Sequence, residues 1–266
     1  MLKDLNGTAF KFIGPSDGPV VVMIHGLGLN QDCWQWTSPT LAQKYRILTY
    51  DLYGHGLTIS PPSNPSLSLF SKQLVEMLDY CNIQTATILG FSLGGMIARR
   101  FAQDFPKKTD ALIILHSPHR RTLEAQRAIL KRVAQARHEG PQSTVEAALD
   151  RWFTDQFRQD NPQIMDTVRG WVTANDITTY HKAYQVLADG IDEIVAPSPP
   201  ISCPTLVITG TEDHGNGPEM SQAIASEITG SRLVILPRLR HMALAEDPKA
   251  INRPLTNFLS ELITTK

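Results

Sequence analysis

The chain has 266 residues, of which 42% are hydrophobic and 19% are charged, and its formal net charge is −1. This length is enough for one large α/β domain with a sizeable core, and the composition argues against a disordered chain. A near-zero net charge without a concentration of Lys and Arg argues against a nucleic-acid partner. No apolar run approaches the length of a membrane span, so we expect no membrane insertion.

The start of the chain and the cysteines bear on the compartment. Residues 1–7 lack the apolar core of a signal peptide. Cys33, Cys81 and Cys203 are odd in number and far apart, which argues against a disulfide framework. We therefore expect buried, reduced cysteines and a cytoplasmic protein.

Short apolar runs alternate with helical patterns over most of the chain. Residues 8–13 predict an antiparallel edge strand. The later apolar runs predict strands buried on both faces, and their alternation with helices indicates a mostly parallel, doubly wound α/β sheet. The predicted strands are 20–24, 46–50, 86–89, 111–115, 205–209 and 232–236, and the predicted helices among them are 67–80, 93–105, 218–228 and 248–263.

The alternation stops after residue 115. Only helical patterns follow, and then a proline-rich link at 196–204 that cannot continue a helix. Since the sheet resumes afterwards, we expect residues 117–200 to form a helical cap inserted into a core of residues 1–116 and 201–266. The predicted cap helices are 122–139, 143–157, 162–174 and 177–190.

Side chains of the predicted cap divide between solvent, the interior of the cap and the cleft beneath it. Some of the aromatic residues must face the cleft, and Trp152 is a candidate. The basic pairs Arg120-Arg121 and Lys131-Arg132 lie in a charge-mixed helical segment, so we interpret them as part of a solvated face.

The stretch Gly90-Phe91-Ser92-Leu93-Gly94 follows a predicted strand and opens a predicted helix, which is the context of a nucleophile elbow. In such a turn Ser92 has a strained backbone and presents Oγ at the carboxyl edge of the sheet. Bulky residues two positions to either side would collide, which explains Gly90 and Gly94. The helix N-terminus beneath the serine offers free N–H groups that suit an oxyanion.

A serine hydroxyl needs a base within hydrogen-bond reach and an acid that orients the base. Asp213 follows the predicted strand 205–209 and His241 follows the last predicted strand, in the chain order serine, acid, histidine. Glu212 and His214 flank the acid and are its nearest rivals. Glu212 would point the wrong way if the strand alternation persists, and His214 comes too early for the base.

Two backbone N–H groups are expected to stabilise the oxyanion of a tetrahedral intermediate. One belongs to Leu93, directly after the nucleophile. The other belongs to Leu27 in the loop His25-Gly26-Leu27-Gly28, where the glycines allow a tight turn into the site. We interpret His25 as a hydrogen-bonding residue of this loop and not as a second base, and we keep it among the substrate-binding candidates.

His116 and His119 have a spacing seen in metal sites, but no carboxylate or cysteine lies close to them in sequence. We therefore predict no metal ion and no cofactor. Both histidines follow a predicted strand, so either could instead line the pocket, and we keep His116 among the substrate-binding candidates. Arg240 and Met242, on either side of the predicted base, complete the substrate-binding candidates.

Taken together, these motifs resemble the α/β-hydrolase fold family over residues 8–262. Within the family the chain looks most like the 3-oxoadipate enol-lactonase group of small-molecule lactonases and esterases. The resemblance implies an α/β-hydrolase sheet with a helical cap, and Arg240 stands where a Gly often precedes the histidine. The matching stretches are His25-Gly26-Leu27-Gly28, Asp51-Leu52-Tyr53-Gly54-His55-Gly56, Gly90-Phe91-Ser92-Leu93-Gly94-Gly95, Gly210-Thr211-Glu212-Asp213, His241 with Glu246-Asp247-Pro248 and, less specifically, Arg151-Trp152-Phe153-Thr154.

The leading hypothesis is a cofactor-free serine hydrolase that cleaves a small carboxylic ester or lactone through an acyl-enzyme. One alternative is hydrolysis of a carbon–carbon bond in a dienoic diketone, which the same triad supports in related enzymes. Another is a non-catalytic, ligand-binding homologue. The expected partner is a small-molecule substrate, with no nucleic acid and no membrane, and the sequence leaves a homo-oligomer open.

Overall fold

The computed structural model describes residues 2–264, and one eight-stranded sheet organises them. The strands lie in the order β1-β2-β4-β3-β5-β6-β7-β8. β2 is antiparallel to both of its neighbours, whereas all pairs from β4 to β8 are parallel. The strands are β1 (Leu2–Lys3), β2 (Ala9–Ile13), β3 (Val20–Ile24), β4 (Arg46–Tyr50), β5 (Ala86–Phe91), β6 (Thr109–Leu115), β7 (Thr205–Gly210) and β8 (Arg232–Leu236).

The helices confirm the predicted α/β class. Five of them, α4 to α8, lie between β6 and β7, and we keep the name cap for residues 117–200. Within residues 2–264 no helix is both long enough and apolar enough to cross a membrane. The helices are α1 (Ser38–Leu41), α2 (Leu67–Tyr80), α3 (Leu93–Asp104), α4 (Leu123–Glu139), α5 (Val145–Trp152), α6 (Asp155–Asp160), α7 (Pro162–Thr173), α8 (Ile177–Asp189), α9 (Pro218–Ser226), α10 (Ala243–Glu246) and α11 (Pro248–Thr264).

The central strands form because their runs are apolar on both faces. Every residue of β5 and β7 is buried, as expected where helices cover both sides of a parallel sheet. The register pairs Ile24 with Gly90, Phe91 with Leu115, and Gly210 with Leu236. The carboxyl ends of β3, β5, β6, β7 and β8 therefore meet at one edge, and the loops that follow them converge there.

Two predicted elements differ from the structure. The strand predicted at 8–13 is antiparallel, as expected, but it is not at the edge because the two-residue β1 pairs with its outer side. The single helix predicted over 143–157 is two helices, α5 and α6, since Phe153 is extended with φ −126° and ψ 145°. Contacts with the segment after β8, which includes α10, stabilise this break between the two helices. Met242 N–H donates to Trp152 O at 2.9 Å, and Thr154 N–H donates to Glu246 at 2.6 Å.

Candidate active site

The turn between β5 and α3 gives Ser92 a backbone conformation that L-residues rarely adopt. Its φ is 56° and its ψ is −116°, which stores strain at this position. A Cβ atom on Gly90 would lie 2.1 Å from the Gly94 carbonyl oxygen, and one on Gly94 would lie 2.2 Å from the Ile24 carbonyl oxygen. Both positions therefore require glycine, and the strand–turn–helix context predicted for Ser92 is confirmed.

Asp213, in the loop after β7, accepts four hydrogen bonds. Its Oδ2 accepts from Nδ1 of His241 at 2.8 Å and from Nδ1 of His116 at 2.9 Å. Its Oδ1 accepts from the backbone N–H groups of Gly215 at 3.1 Å and Asn216 at 3.0 Å. Burial alone would raise the pKa of Asp213, but the charges and hydrogen bonds of the two histidines outweigh burial and hold its pKa well below its usual range. The carboxylate is therefore ionised and orients both imidazole rings.

The His241 ring lies between two aromatic side chains. Its centroid is 4.9 Å from that of Phe91, the residue before the elbow serine, and 5.9 Å from that of Trp152 in the cap. Ser92, Asp213 and His241 are only 6%, 3% and 5% exposed, and all three line the same cavity. Among the described residues, no hydrogen bond joins the Ser92 hydroxyl to His241. In this arrangement one imidazole is oriented by an acid and faces the space that the serine also faces.

The loop after β3 turns sharply beside the elbow. Leu29 N–H donates to Gly26 O at 3.3 Å, and Gly28 has a φ of 74°, which is the position of a type II turn that favours glycine. Leu27 lines the cavity. The N–H groups of Leu27 and Leu93 donate none of the hydrogen bonds found within residues 2–264. Both backbone donors are thus without a partner among the described residues, and one of them belongs to the residue that directly follows the serine.

His25 supports this loop from behind and does not line the cavity. Its Nδ1 donates to Gly26 O at 2.8 Å, and its Nε2 accepts from Leu52 N–H at 3.0 Å. Burial lowers the pKa of His25 to about 4. The ring is therefore neutral, and the structure agrees with the predicted hydrogen-bonding role rather than with substrate contact.

Of the other three substrate-binding candidates, one lines the cavity and two do not. Trp152 lines the cavity, whereas Met242 is fully buried outside the lining. Arg240 also lies outside it, because its guanidinium donates to the carbonyl oxygens of Asp150 at 2.8 Å and Phe153 at 2.7 Å. Arg240 therefore fastens the cap to the loop that carries His241, and the prediction that it contacts substrate is not supported by its position.

His116 was expected to line the pocket, and here the prediction is wrong. The residue is fully buried with a φ of 49°, and its ring points back to Asp213. It does not pair with His119, which bonds Glu227 at 2.9 Å instead. The group of potential metal ligands within 4.8 Å of one another is His116, Asp213 and His241, and those atoms are already engaged in the hydrogen bonds described above.

Sequence reasoning missed several residues of the cavity wall. The cavity has a volume of about 90 Å³ and lies between the strand ends and the cap. Helices α4, α5 and α8 each contribute residues from one face, at helical spacings of three and four residues. Arg121 and Arg132, predicted to be solvated, are among them, and this prediction is wrong. The cap residues of the lining are Arg121, Ile129, Arg132, Thr144, Ala148, Arg151, Trp152, Tyr180, Tyr184 and Leu187.

Comparison with known proteins identifies the family. A family model described as alpha/beta hydrolase fold matches residues 19–248, so the chain belongs to the α/β-hydrolase fold family. One relative is an (E)-2-((N-methylformamido)methylene)succinate hydrolase of Acinetobacter baylyi. It is 25% identical over 255 residues, covering 96% of this chain and 95% of the relative. A 3-oxoadipate enol-lactonase of the same organism is 28% identical over 239 residues, covering 90% of this chain and 88% of that one.

A solved structure agrees with this assignment. The enol-lactonase from Burkholderia xenovorans superimposes with a TM-score of 0.87, at 23% identity, and the match covers 95% of this chain and 96% of that one. The two proteins therefore share their fold. The predicted resemblance to the α/β-hydrolase family is confirmed, and enol-lactonases and other hydrolases are among the relatives.

Proposed function

We propose that the protein is a serine hydrolase that cleaves a small carboxylic ester or lactone through an acyl-enzyme. The observation that carries the proposal is the meeting of two groups at one cavity. Ser92 stands there in a positive-φ elbow, and His241 stands there with its Nδ1 bonded to the ionised Asp213. A hydroxyl nucleophile and an oriented base are the two parts that acyl transfer requires.

The proposed reaction follows from the roles of these atoms. With Nδ1–H bonded to the acid, Nε2 of His241 carries the lone pair and takes the proton of Ser92 as Oγ attacks the carbonyl carbon. The N–H groups of Leu27 and Leu93 bind the oxyanion that forms. His241 then returns the proton to the leaving oxygen, and the same steps with water in place of serine release the acid and restore the serine.

Two observations favour a small ester or lactone. The cavity beside the serine has a volume of about 90 Å³, which suits a small substrate. Two relatives that span most of this chain carry the names of a hydrolase and an enol-lactonase. At 25–28% identity these names indicate a class of reaction and do not identify the substrate.

Covalent labelling tests the nucleophile directly. Wild type treated with an alkyl fluorophosphonate should gain one adduct, and tandem mass spectrometry should place it on Ser92. Ser92→Ala should take up no label and hydrolyse none of a panel of short esters and γ-lactones. Ser226→Ala, which changes an exposed serine outside the cavity, is the matched control and should behave as wild type. A label on another residue, or turnover by Ser92→Ala, would overturn the proposal, and cleavage of dienoic diketones without ester turnover would favour the carbon–carbon alternative.

A further inference from the structure

Three arginines of the cap converge on the cavity that Ser92 and His241 face. Arg121 precedes α4, Arg132 lies within α4, and Arg151 lies near the end of α5. Each is half-buried. Within residues 2–264 no carboxylate oxygen lies within 4.0 Å of any of the three guanidinium groups. Asp213 is the acidic residue of the lining, and its oxygens are occupied by the two histidines and two backbone N–H groups.

The hydrogen bonds that these arginines do make are with neutral oxygens. Arg132 Nε donates to the Tyr184 hydroxyl at 3.0 Å, and Arg121 donates to Ala188 O at 3.3 Å. Burial and the charge of Arg132 lower the pKa of Arg121 to about 10 and lower the pKa of Arg151 as well. The three like charges thus lie close together in a partly desolvated wall, which is unfavourable unless an anion joins them.

We propose that this wall, Arg121, Arg132 and Arg151 with Tyr184, is an anion subsite, and that the substrate of the proposed hydrolase carries a carboxylate which binds there. The inference rests on the proposed function for the reaction and on the arginines for the substrate class. A planar guanidinium presents two parallel N–H donors that match the two oxygens of a carboxylate. Tyr184 adds to the match because its oxygen accepts from Arg132, which leaves its own O–H free to donate to the bound anion.

The small volume of the site favours a small substrate. Ser92 and the three arginines line one cavity of about 90 Å³. We therefore expect the carboxylate to lie a few bonds from the scissile carbonyl, as in a half-ester of a short dicarboxylic acid or a lactone that bears a carboxylate. A neutral ester of the same shape would leave the three guanidinium groups without a partner.

Matched substrates test the charge alone. Ethyl hydrogen succinate is compared with ethyl 4-methylpentanoate, in which an isopropyl group replaces the carboxylate. A γ-butyrolactone with a carboxylate at its β-carbon is compared with the β-methyl lactone. Hydrolysis is followed by titration of the released acid. We expect kcat/KM to favour the anionic member of at least one pair by about ten- to a hundredfold, the range given by charge-assisted hydrogen bonds.

Substitutions of the arginines test whether the wall causes this preference for the anionic substrate. Arg132→Gln and Arg151→Gln should each reduce the ratio of kcat/KM for the anionic member to kcat/KM for the neutral member about tenfold or more. Arg151→Lys should keep part of the preference, because the charge is retained. Arg127→Gln is the matched control, since Arg127 is an exposed residue of α4 that lies outside the lining, and it should keep the full preference.

The outcomes separate the subsite from the proposed function. If wild type hydrolyses the neutral members as fast as the anionic ones, the anion subsite is refuted and the serine hydrolase stands. If it hydrolyses none of the four, the proposed function fails, and calorimetric titration of wild type with succinate decides the subsite. Succinate binding that Arg151→Gln weakens at least tenfold, and Arg127→Gln does not, would support it; no heat of binding would overturn it.

Discussion

Replacement of Asp213 by Asn tests the most detailed feature of the site, the division of four donors between two carboxylate oxygens. Oδ2 accepts from two imidazoles, and Oδ1 accepts from the backbone N–H groups of Gly215 and Asn216. An asparagine keeps one acceptor oxygen and replaces the other with an NH₂ group. The backbone donors cannot reverse, whereas an imidazole can change its tautomer. The NH₂ group should therefore face the histidines.

The consequence for His241 is a loss of its function as a base. With a donor opposite Nδ1, the favoured tautomer carries its proton on Nε2, and the nitrogen that faces Ser92 can no longer accept a proton. In a serine protease the equivalent change lowers kcat by about 10⁴, or roughly 5 kcal/mol in the barrier. We expect a similar loss here. The free energy of unfolding should fall by less, about 1–3 kcal/mol, since His116 also loses its hydrogen bond to a charged carboxylate.

The assay compares kcat and KM of wild type, Asp213→Asn and Glu212→Gln on one ester, with circular dichroism and thermal unfolding as checks of folding. KM should change little for Asp213→Asn, because the acid lies behind the imidazole. Glu212→Gln should leave kcat and KM nearly unchanged, since Glu212 accepts no hydrogen bond from the site residues. A kcat for Asp213→Asn within tenfold of wild type would refute the tautomer argument. A large loss of kcat in Glu212→Gln would show that Glu212 is the acid.

Three further expectations follow from the site. Ser92→Ala should lower kcat by about four to six orders of magnitude with an unchanged circular dichroism spectrum, and activity above a few per cent in pure protein would contradict the nucleophile. Incubation with EDTA should leave ester turnover unchanged, and a loss that Zn²⁺ restores would show a metal-dependent reaction. Stability should fall as the pH drops from 6.5 to 4, because the unfolded chain takes up protons that buried His25 and His55, with pKa values of about 4 and 3, cannot accept. His25 alone contributes roughly 3 kcal/mol, and urea midpoints that stay constant between pH 7 and pH 4.5 would contradict this.

The strands and the elbow could be predicted because their signals are local. A run such as β3, with four buried apolar residues in a row, is a parallel strand wherever it lies in the sheet. Parallel strands bring their carboxyl ends together, so Ser92, Asp213 and His241 could be placed near one another without knowledge of the packing. The contact that requires Gly90 lies within the turn itself, whereas the contact that requires Gly94 is with the Ile24 carbonyl oxygen of the neighbouring strand β3.

For the cap, the sequence predicts that helices are present but not which of their side chains face the cavity. Arg132 and the exposed Arg127 lie on the same helix in similar sequence surroundings, and only the docking of α4 makes one a wall residue and the other a surface residue. His116 shows a comparable limit. Its place at the end of a predicted strand suggested a pocket residue, but its φ is positive and its ring bonds Asp213, and a single sequence does not reveal that conformation.

The loop that carries His241 and the helix α10 that follows it determine where the cap lies. Glu246 accepts from the backbone N–H of Thr154 at 2.6 Å and of Arg240 at 2.9 Å. Arg240 donates in turn to carbonyl oxygens at the end of α5, which gives this arginine a structural role. These bonds end α5 at Trp152, whose ring lies against the base and whose neighbour Arg151 lines the cavity. The position of the base and the position of the anion-binding wall are therefore set by the same few hydrogen bonds, so a change at Glu246 should disturb both together.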